Sequence, residues 1–454
     1  MKNLFKILTP ILILVLVLFT SKLISLTPVS AATTMKFLIN GADDDGPGAA
    51  ATYNFIASAD KSTWNTIQTN RDTPVAAAMT LTDMVVRIST APDNGAGTQS
   101  RTFKVFKNGS ATAIAVTISE TNVQATITGQ SVSFAAGDTI SMESTSANSP
   151  IATTDVYWSI VAESVSTAYF VLFGGSASAI NTTSYQNLQN GVGLWESAAT
   201  SVAQVMPLAG NMTILYTDST VAPGTDIDAW DVAVMVDEVA SALSVHYAAT
   251  ETGIKSGTGT VAVTAGQTVA LEALETGTNL STAMAWSAVV EPTTAGQSAI
   301  MFGNPNPPLA TGAAEFEQLF GAGGNSWVTP ESARYASLFA TTIQALYFKV
   351  GTAPGGSTTW TVQMREEVSD LAGVANTITG AATTGNTTGL SVAVTTGNRY
   401  NWSMTPSATD PTAMTGGAHI GLQVFFTPTT DAVVIADVVI FKGDVIFKNE
   451  VIFK

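Results

Sequence analysis

The sequence contains no cysteine and only two histidines. Without cysteine, disulfide scaffolds, thiolate-ligated zinc, iron–sulfur clusters and thiol nucleophiles are excluded. His246 is followed by Tyr247 and His419 by Ile420, so the HExxH zinc motif is absent, and neither histidine has a recognisable Ser or Asp partner in the sequence. The GxSxG, Walker A and GxGxxG motifs are also missing. None of these catalytic signatures is therefore present.

Charged residues are scarce, at 11% of the 454 residues, where a globular protein has about a quarter. Acidic residues outnumber basic ones by 34 to 18, which gives a net charge of −16. An acidic surface repels phosphate backbones, so we exclude nucleic acid as a partner. Hydrophobic residues make up 46% of the chain and suffice for a packed core. At ~150 residues per domain, the length predicts about three domains.

The amino-terminal residues 1–31 have the pattern of a secretory signal peptide. Lys2 is followed by an unbroken apolar run at 11–19 and by the small residues Val29-Ser30-Ala31. A membrane anchor is the alternative, but Lys22 interrupts the stretch and a span needs roughly 20 apolar residues. Cleavage would leave 15 basic and 34 acidic residues, a net charge of −19. We therefore expect a secreted or extracellular protein, or one at a cell or virion surface.

Four sequence landmarks recur in the same order, about 130 residues apart. The first is an apolar strand that ends in a turn, starting at Phe37, Val171 and Ile300. The second is a lone tryptophan in a polar stretch: Trp64, Trp195 and Trp327. The third is an aromatic-x-Val strand at Phe103, Trp230 and Trp360, and the fourth is a turn at Gly137, Gly266 and Gly397. Such repetition predicts three copies of one structural unit, which we place at 35–165, 166–295 and 296–430.

Within a unit, apolar residues recur with a period of two. Trp230, Val232 and Val234 alternate with Asp231 and Ala233, the pattern of a half-buried antiparallel strand. Seven to nine such runs in ~130 residues predict a β-sandwich. We favour a jelly roll over an immunoglobulin-type sandwich, because the Cys-Trp-Cys frame is absent. The predicted fold class is all-β: three tandem antiparallel, jelly-roll-like β-sandwiches joined end to end as a rod, with a short β-repeat tail.

The order of these landmarks, with an Asn-Gly turn at Asn108-Gly109 and closing Trp-Ser strands at Trp158-Ser159 and Trp286-Ser287, resembles a known group of proteins. These are the tandem jelly-roll-like β-sandwich repeat proteins of secreted or virion-surface type, which include phage tail-fibre-like proteins and surface proteins of environmental bacteria. The resemblance spans residues 35–430 and implies architecture and display, without a catalytic motif. The third unit departs from it, with His419-Ile420-Gly421-Leu422 at the Trp-Ser strand and Glu366-Glu367 at the Asn-Gly turn.

The carboxy-terminal tail, 431–454, changes character. The tetrapeptide Val-Ile-Phe-Lys occurs three times at intervals of six residues from Val439 to Lys454. Because six is even, the valines and phenylalanines share one strand face and the lysines lie on the other. We expect self-association through 433–454 in a fibre or solenoid, with an edge strand on the third unit as the alternative. The last copy has no polar cap, so we also expect either a truncated reading frame or a longer stalk.

Asp43, Asp44 and Asp45, followed by Gly46, could offer carboxylates to Ca²⁺. We favour a solvent-exposed acidic turn, because the other two units lack acids nearby. We expect no other cofactor and no metal beyond this one candidate.

The repeated Trp64, Trp195 and Trp327 have two interpretations. Their indole faces could stack on pyranose rings of a carbohydrate, since their neighbours are polar. We favour core packing, because a tryptophan repeated in every unit usually plugs the sandwich.

The predicted function is a secreted, non-enzymatic structural or adhesive surface protein that contacts an extracellular glycan or protein. The first alternative is a carbohydrate-binding protein that uses the repeated tryptophans. The second is a secreted glycan hydrolase, which would need two carboxylates roughly 5–10 Å apart across a cleft.

Overall fold

The computed structural model describes residues 33–430 and short strands in the tail. Gaps fall at 59–63, 96, 154, 166–167, 181, 192–193, 226, 305–312, 321–326, 330, 332–334, 408–410, 415 and 428, and beyond 430 only 440–442 and 444–446 are described. The predicted signal peptide, residues 1–31, lies outside the described residues, as does most of the predicted tail. In the described part no helix is long and apolar enough to cross a membrane.

Strands dominate the described residues. The first sandwich is preceded by β1 (Thr33–Thr34) and contains β2 (Lys36–Asp43), β3 (Thr52–Phe55), β4 (Thr73–Pro74), β5 (Met79–Ile88), β6 (Ser100–Lys107), β7 (Ser110–Ser119), β8 (Gln124–Ile127), β9 (Val132–Phe134), β10 (Thr139–Ala147) and β11 (Val156–Ser164). The second contains β12 (Phe170–Ile180), β13 (Ser184–Gln186), β14 (Gln204–Val205), β15 (Gly210–Ser219), β16 (Ala229–Val236), β17 (Val239–Ala248), β18 (Gly253–Val263), β19 (Thr268–Thr276) and β20 (Thr282–Pro292). The third contains β21 (Gln297–Asn304), β22 (Glu315–Glu317), β23 (Ala336–Ser337), β24 (Thr341–Val350), β25 (Thr359–Glu366), β26 (Ser369–Thr379), β27 (Thr384–Val394), β28 (Arg399–Pro406) and β29 (Ala418–Phe425). The short strand β30 (Thr429–Thr430) follows the third sandwich, and the tail strands are β31 (Ile440–Lys442) and β32 (Asp444–Ile446). The helical turns are a 3₁₀ turn (Gln68–Asn70) and α1 (Ala199–Val202).

Each sandwich is a jelly roll. In the first, one sheet has the strand order β2-β11-β5-β8 and the other β3-β10-β6-β7. The second sandwich repeats this as β12-β20-β15-β18 and β13-β19-β16-β17, and the third as β21-β29-β24-β27 and β22-β28-β25-β26. Paired strands are antiparallel, and two such four-stranded sheets form the double Greek key of a jelly roll. The predicted all-β class, with three antiparallel, jelly-roll-like sandwiches in tandem, is therefore confirmed. We call the sheet with β2, β12 or β21 the seam sheet and the other the hairpin sheet.

Each hairpin sheet carries a tight turn whose two residues have positive φ. The turn residues are Asn108-Gly109, Asp237-Glu238 and Glu367-Val368. Two positive φ values in a two-residue loop define the turn that matches strand twist, for which Asn-Gly is best suited. The predicted position of the third turn, Glu366-Glu367, is wrong by one residue, because Glu366 still pairs with Ser369 at the end of the ladder.

One pair of facing positions on neighbouring strands combines a large and a small side chain in the first two cores, and the third core fills the same two positions differently. In the first sandwich Gly41 lies opposite Trp158, and a Cβ at Gly41 would meet the indole ring at 2.2 Å. In the second, Gly174 lies opposite Trp286 in the same way. The third sandwich reverses the sizes: Phe302 occupies the glycine position and Ile420, opposite it, the tryptophan position. The total volume is thus redistributed across one pair of strands, which explains why the sequence lacks the Trp-Ser signature there.

The three sandwiches close into a ring within residues 33–429, which form one compact unit. The short strands β4, β14 and β23, here called stub strands, each pack against the seam sheet of another sandwich. The first stub contacts β12, β15 and β20, the second contacts β21, β24 and β29, and the third contacts β5 and β11 of the first sandwich. The predicted end-to-end rod is therefore wrong for this part of the chain, because the third sandwich returns to the first. A repeated head-to-tail contact that closes after three copies gives a pseudo-threefold ring.

The tail is a separate unit from the ring. Its described part is a hairpin in which Ile440 pairs with Ile446 and Phe441 with Val445. Self-association through 433–454 stays a prediction.

Candidate functional sites at the seams of the ring

The three contacts between sandwiches are here called seams. Charged and polar side chains that are buried or half-buried lie at these contacts. The first seam joins stub β4 to the second sandwich, the second joins β14 to the third, and the third joins β23 to the first. In the seam sheets, equivalent positions of the outward faces are held by Arg87, Asp218 and Lys349, which pair with Tyr157, Ala285 and His419. The three seams therefore share geometry but differ in chemistry.

The first seam is closed mainly by an aromatic ring against a glycine. A Cβ at Gly175 would lie 2.5 Å from the ring of Phe55, so only glycine allows this approach. Beside it, the Ser287 hydroxyl donates a 2.6 Å hydrogen bond to the Pro74 carbonyl on the stub strand. The apolar clusters of the first and second sandwiches merge here into one continuous core.

Two carboxylates in the first seam, Asp72 and Asp218, are close enough to interact electrostatically. Burial raises the pKa of Asp218 to about 6, and the negative charge of Asp72 adds to the shift. Burial also raises the pKa of Asp72, although hydrogen bonds from Ser141 and Gln68 oppose this. They line a cavity of about 10 Å³, the room of a single water molecule. This acid pair therefore has no space for a glycan, which argues against a hydrolase centre there.

The second seam is held by a network of buried amides. Gln189 accepts a 2.6 Å hydrogen bond from the Met301 backbone N–H and exchanges backbone bonds with the Gln204 side chain. Gln204 also donates to the Met301 carbonyl, and Asn187 donates to the Gly303 carbonyl at 2.9 Å. These side chains pair with strand β21 much as another strand would. These polar contacts accompany apolar ones, because Ala299 and Met301 of β21 belong to the apolar cluster of the second sandwich.

His419 is buried in the second seam. Burial lowers the pKa of His419 to about 4, so the imidazole is neutral at physiological pH. Its Nε2 lies 3.1 Å from the Gly416 carbonyl. His246 instead lies on the exposed face of the second hairpin sheet, with Nδ1 2.7 Å from Asp231 on the neighbouring strand. Sequence reasoning missed this partner because the two residues are brought together only by the register of β16 and β17.

The third seam combines cations, amides and aromatic rings. Gln124 accepts hydrogen bonds from the Ser337 hydroxyl at 2.7 Å and from the Arg87 guanidinium at 3.4 Å, which ties the stub strand to the first sandwich. Burial lowers the pKa of Arg87, and the nearby positive charge of Arg399 acts in the same direction. Tyr157 belongs to the apolar cluster of the third sandwich, together with other residues of the first.

The repeated tryptophans pack against the interiors of their own sandwiches. The Trp64 ring contacts Trp158 edge-on at a centroid distance of 6.2 Å, and Trp195 contacts Trp286 at 5.9 Å. Trp327 is buried and packs edge-on against Phe302 at 6.0 Å. Trp64 and Trp195 are partly buried at the rim of the core. All three rings therefore contact the core of their own sandwich, and Trp64 and Trp195 keep part of their surface exposed.

The three predicted calcium ligands are not gathered around one point. Asp43 is buried, and its carboxylate accepts hydrogen bonds from the Asp45 backbone N–H and the Asn54 side chain. The third sandwich has the reverse pair, because Asn304 donates to Glu317 at the equivalent positions. Among the described residues no group of three His, Cys, Asp or Glu side chains could hold a metal ion. Asp43 therefore serves as a buried hydrogen-bond acceptor of the sandwich.

The seam residues Gln189, Gln204 and Gln124 were not predicted from the sequence. Each looks like an ordinary polar surface residue of a strand or loop. The only signal is the amide-rich run Gln186-Asn187-Leu188-Gln189-Asn190, which is unusual between two strands.

The comparisons with known proteins add little to this geometry. No protein-family model matches the chain, and no curated protein matches it. A solved structure, described as the crystal structure of an infectious bursal disease virus VP2 subviral particle, aligns over 89% of this chain and 84% of that one. The identity is 9% and the TM-score 0.15, so this likeness carries no argument about function. The all-β architecture rests on the strands and sheets themselves.

Proposed function

We propose that the chain is a non-enzymatic structural or adhesive component of an extracellular, cell or virion surface, with residues 33–429 as its compact head. The observation that carries this proposal is the closed ring. Three small jelly rolls each bury part of one face against a neighbour, and Phe55, Gln189 and Gln124 make contacts across the three seams. An arrangement of this kind suits a durable surface component better than it suits a catalyst, which needs an accessible cleft.

The acidic composition supports the same proposal. A net charge of −16 favours solubility and colloidal stability outside the cell. The absence of cysteine means that the fold does not depend on the redox state of its compartment.

Surface display can be tested by expressing the full chain, residues 1–454, in a bacterial host and labelling intact cells with an antibody against the ring. Display or release into the medium is expected for the full chain, and a variant without residues 1–31 is the control that should stay inside. Equal retention of both chains inside the cell would contradict the proposal.

A carbohydrate-binding function is the second candidate. The tryptophans that suggested it contact the cores, and two of them, Trp64 and Trp195, remain partly exposed. A screen of the purified chain against a panel of extracellular glycans, with Trp64→Phe and Trp195→Phe variants, tests the original version. Binding that is lost in these variants would support it, and binding that is unaffected would count against it.

A further inference from the structure

The second seam contains a cavity between the second and third sandwiches. It has a volume of about 180 Å³, against about 10 Å³ for the single-water cavity of the first seam. One wall is formed by Val205, Ala265 and Gly266 of the second sandwich. The other wall is the outward face of strands β24 and β27 in the third sandwich. Its size suits a single ring-sized ligand.

Four polar or aromatic side chains form a square on that second wall. The strand register places Tyr347 directly opposite Asn386, and Lys349 directly opposite Thr384. Tyr347 is half-buried, and its ring faces Gly266 across the seam, where an added Cβ would lie 3.7 Å from it. In the described part of the chain no hydrogen bond or ion pair within 4 Å holds the Lys349 ammonium, although Asp237 is near enough for its carboxyl to respond to that charge.

The equivalent positions in the other two seams carry different side chains, and in the third seam one of them bridges the gap. In the third seam they are Val85, Thr126, Arg87 and Gln124, and Gln124 spans the gap to Ser337. Replacing a long glutamine by Thr384, and Ser337 by the apolar Val205, removes that bridge in the second seam.

In the first seam the four positions are Tyr216, Ser256, Asp218 and Ile254. There the ammonium is replaced by the carboxylate of Asp218, and the hydroxyl of Thr384 by the apolar side chain of Ile254. The combination of aromatic ring, ammonium, amide and hydroxyl is therefore peculiar to the second seam.

We propose that this cavity is a binding site for one carboxylated pyranose, such as a uronic acid unit of an extracellular glycan. The Tyr347 ring offers an apolar face to the sugar ring, as amphipathic aromatic side chains do in binding sites. Lys349 donates to the carboxylate, while Asn386 and Thr384 exchange hydrogen bonds with hydroxyl groups. The site lies apart from the repeated tryptophans and does not depend on where the chain is displayed.

The test is a titration of the purified chain with D-glucuronate and, separately, with D-glucose, followed by ligand-observed NMR. Glucuronate should bind saturably with a dissociation constant on the order of 1 mM, a weak affinity natural for one sugar. Glucose, which lacks the carboxylate, should bind at least about tenfold more weakly, since the Lys349 contact is lost. Raising the salt concentration should weaken glucuronate binding alone.

Three variants separate this site from non-specific binding. Lys349→Gln and Thr384→Gln, the second of which copies the glutamine that fills the third seam, should each lower the affinity about tenfold or more. Tyr216→Ala, at the position equivalent to Tyr347 but in the first seam, is the control and should leave binding unchanged. Far-ultraviolet circular dichroism and thermal melting confirm that each variant is folded.

The proposal is overturned if glucuronate does not bind, if glucose binds equally well, or if Thr384→Gln binds as the parent chain does. None of these results bears on secretion or display, which the labelling of intact cells measures.

Discussion

At the residue scale, the hairpin turns show which features a local sequence rule predicts and which it does not. Asn108-Gly109 was predicted as a turn because both residues accept positive φ, and this is confirmed. The first residue of each turn also caps a neighbouring strand: Asn108 accepts from the Thr139 backbone N–H, Asp237 from Thr268 and Glu367 from Arg399. That shared capping could not be read from the sequence, because it joins residues about 30 positions apart.

Val368 is the most strained of these turn residues. It has φ 68°, and a β-branched side chain in this region is disfavoured by about 1–2 kcal/mol. Its side chain is 54% exposed, so little packing is lost when it is removed. Val368→Gly should therefore stabilise the protein by about 0.5–1 kcal/mol after the entropy loss of glycine is counted. Thermal melting measures this, and Gly109→Val, at the equivalent turn, is the control that should lower the melting temperature.

Asp218 makes stability depend on pH. The folded state raises its pKa from 3.8 to about 6, so it binds the proton more tightly than the unfolded state does. This contribution is complete below pH 3.8, is lost as the pH rises through about 6, and is absent above that. Asp218→Asn should abolish this loss, and above pH 7 it should be more stable than the parent by on the order of 3 kcal/mol.

Urea denaturation of the parent and of Asp218→Asn at pH 4 and pH 8 measures the difference. Glu120→Gln, an exposed turn residue, is the control. A gap between Asp218→Asn and the parent that is the same at both pH values would contradict the argument.

At the element scale, strands and their alternation were predictable, because one face of each strand meets the core. The contacts made by the outward faces of the seam sheets were not predictable, because contact with another sandwich produces no periodic pattern in the sequence. Gly175 and Gly303 look like ordinary turn or strand glycines until Phe55 and Asn187 are placed against them. The site residues of the seams could therefore be found only from the structure.

The exchanged pair in the third sandwich gives a prediction for two strands together. Ile420→Trp alone should clash with Phe302 and destabilise by about 1–3 kcal/mol. Phe302→Gly alone should leave a cavity and cost about 3–5 kcal/mol. The double variant restores the arrangement of Gly41 and Trp158, whose indole N–H donates to the Ile56 carbonyl at 2.7 Å.

The double variant should therefore be clearly more stable than Phe302→Gly, and a double-mutant cycle of melting temperatures reveals the coupling. Additive losses in the double variant would show that the two positions do not exchange volume.

At the scale of the whole ring, the repeat was visible in the sequence but its closure was not. Tandem copies with short joints are compatible with a row or with a ring. The choice is made by the third stub strand, where Ser337 meets Gln124, residues 213 positions apart. The local sequence around either residue does not predict this contact.

Closure can be tested directly because the chain has no cysteine of its own. The double variant Gln124→Cys, Ser337→Cys, treated with a short bismaleimide, should form an internal cross-link in high yield and migrate faster in a denaturing gel. Each single variant, and the double variant unfolded in urea, are the controls and should not shift. A row of sandwiches would keep the two thiols apart and give no internal cross-link.

The inequality of the three seams has an evolutionary consequence. In a homotrimer every substitution is made three times, so a change that opens a cavity weakens all the interfaces at once. Here each interface is encoded separately, and Thr384 opens one gap while Gln124 still closes another. Because the three sandwiches lie in one polypeptide, a substitution can change one interface while the other two keep their contacts.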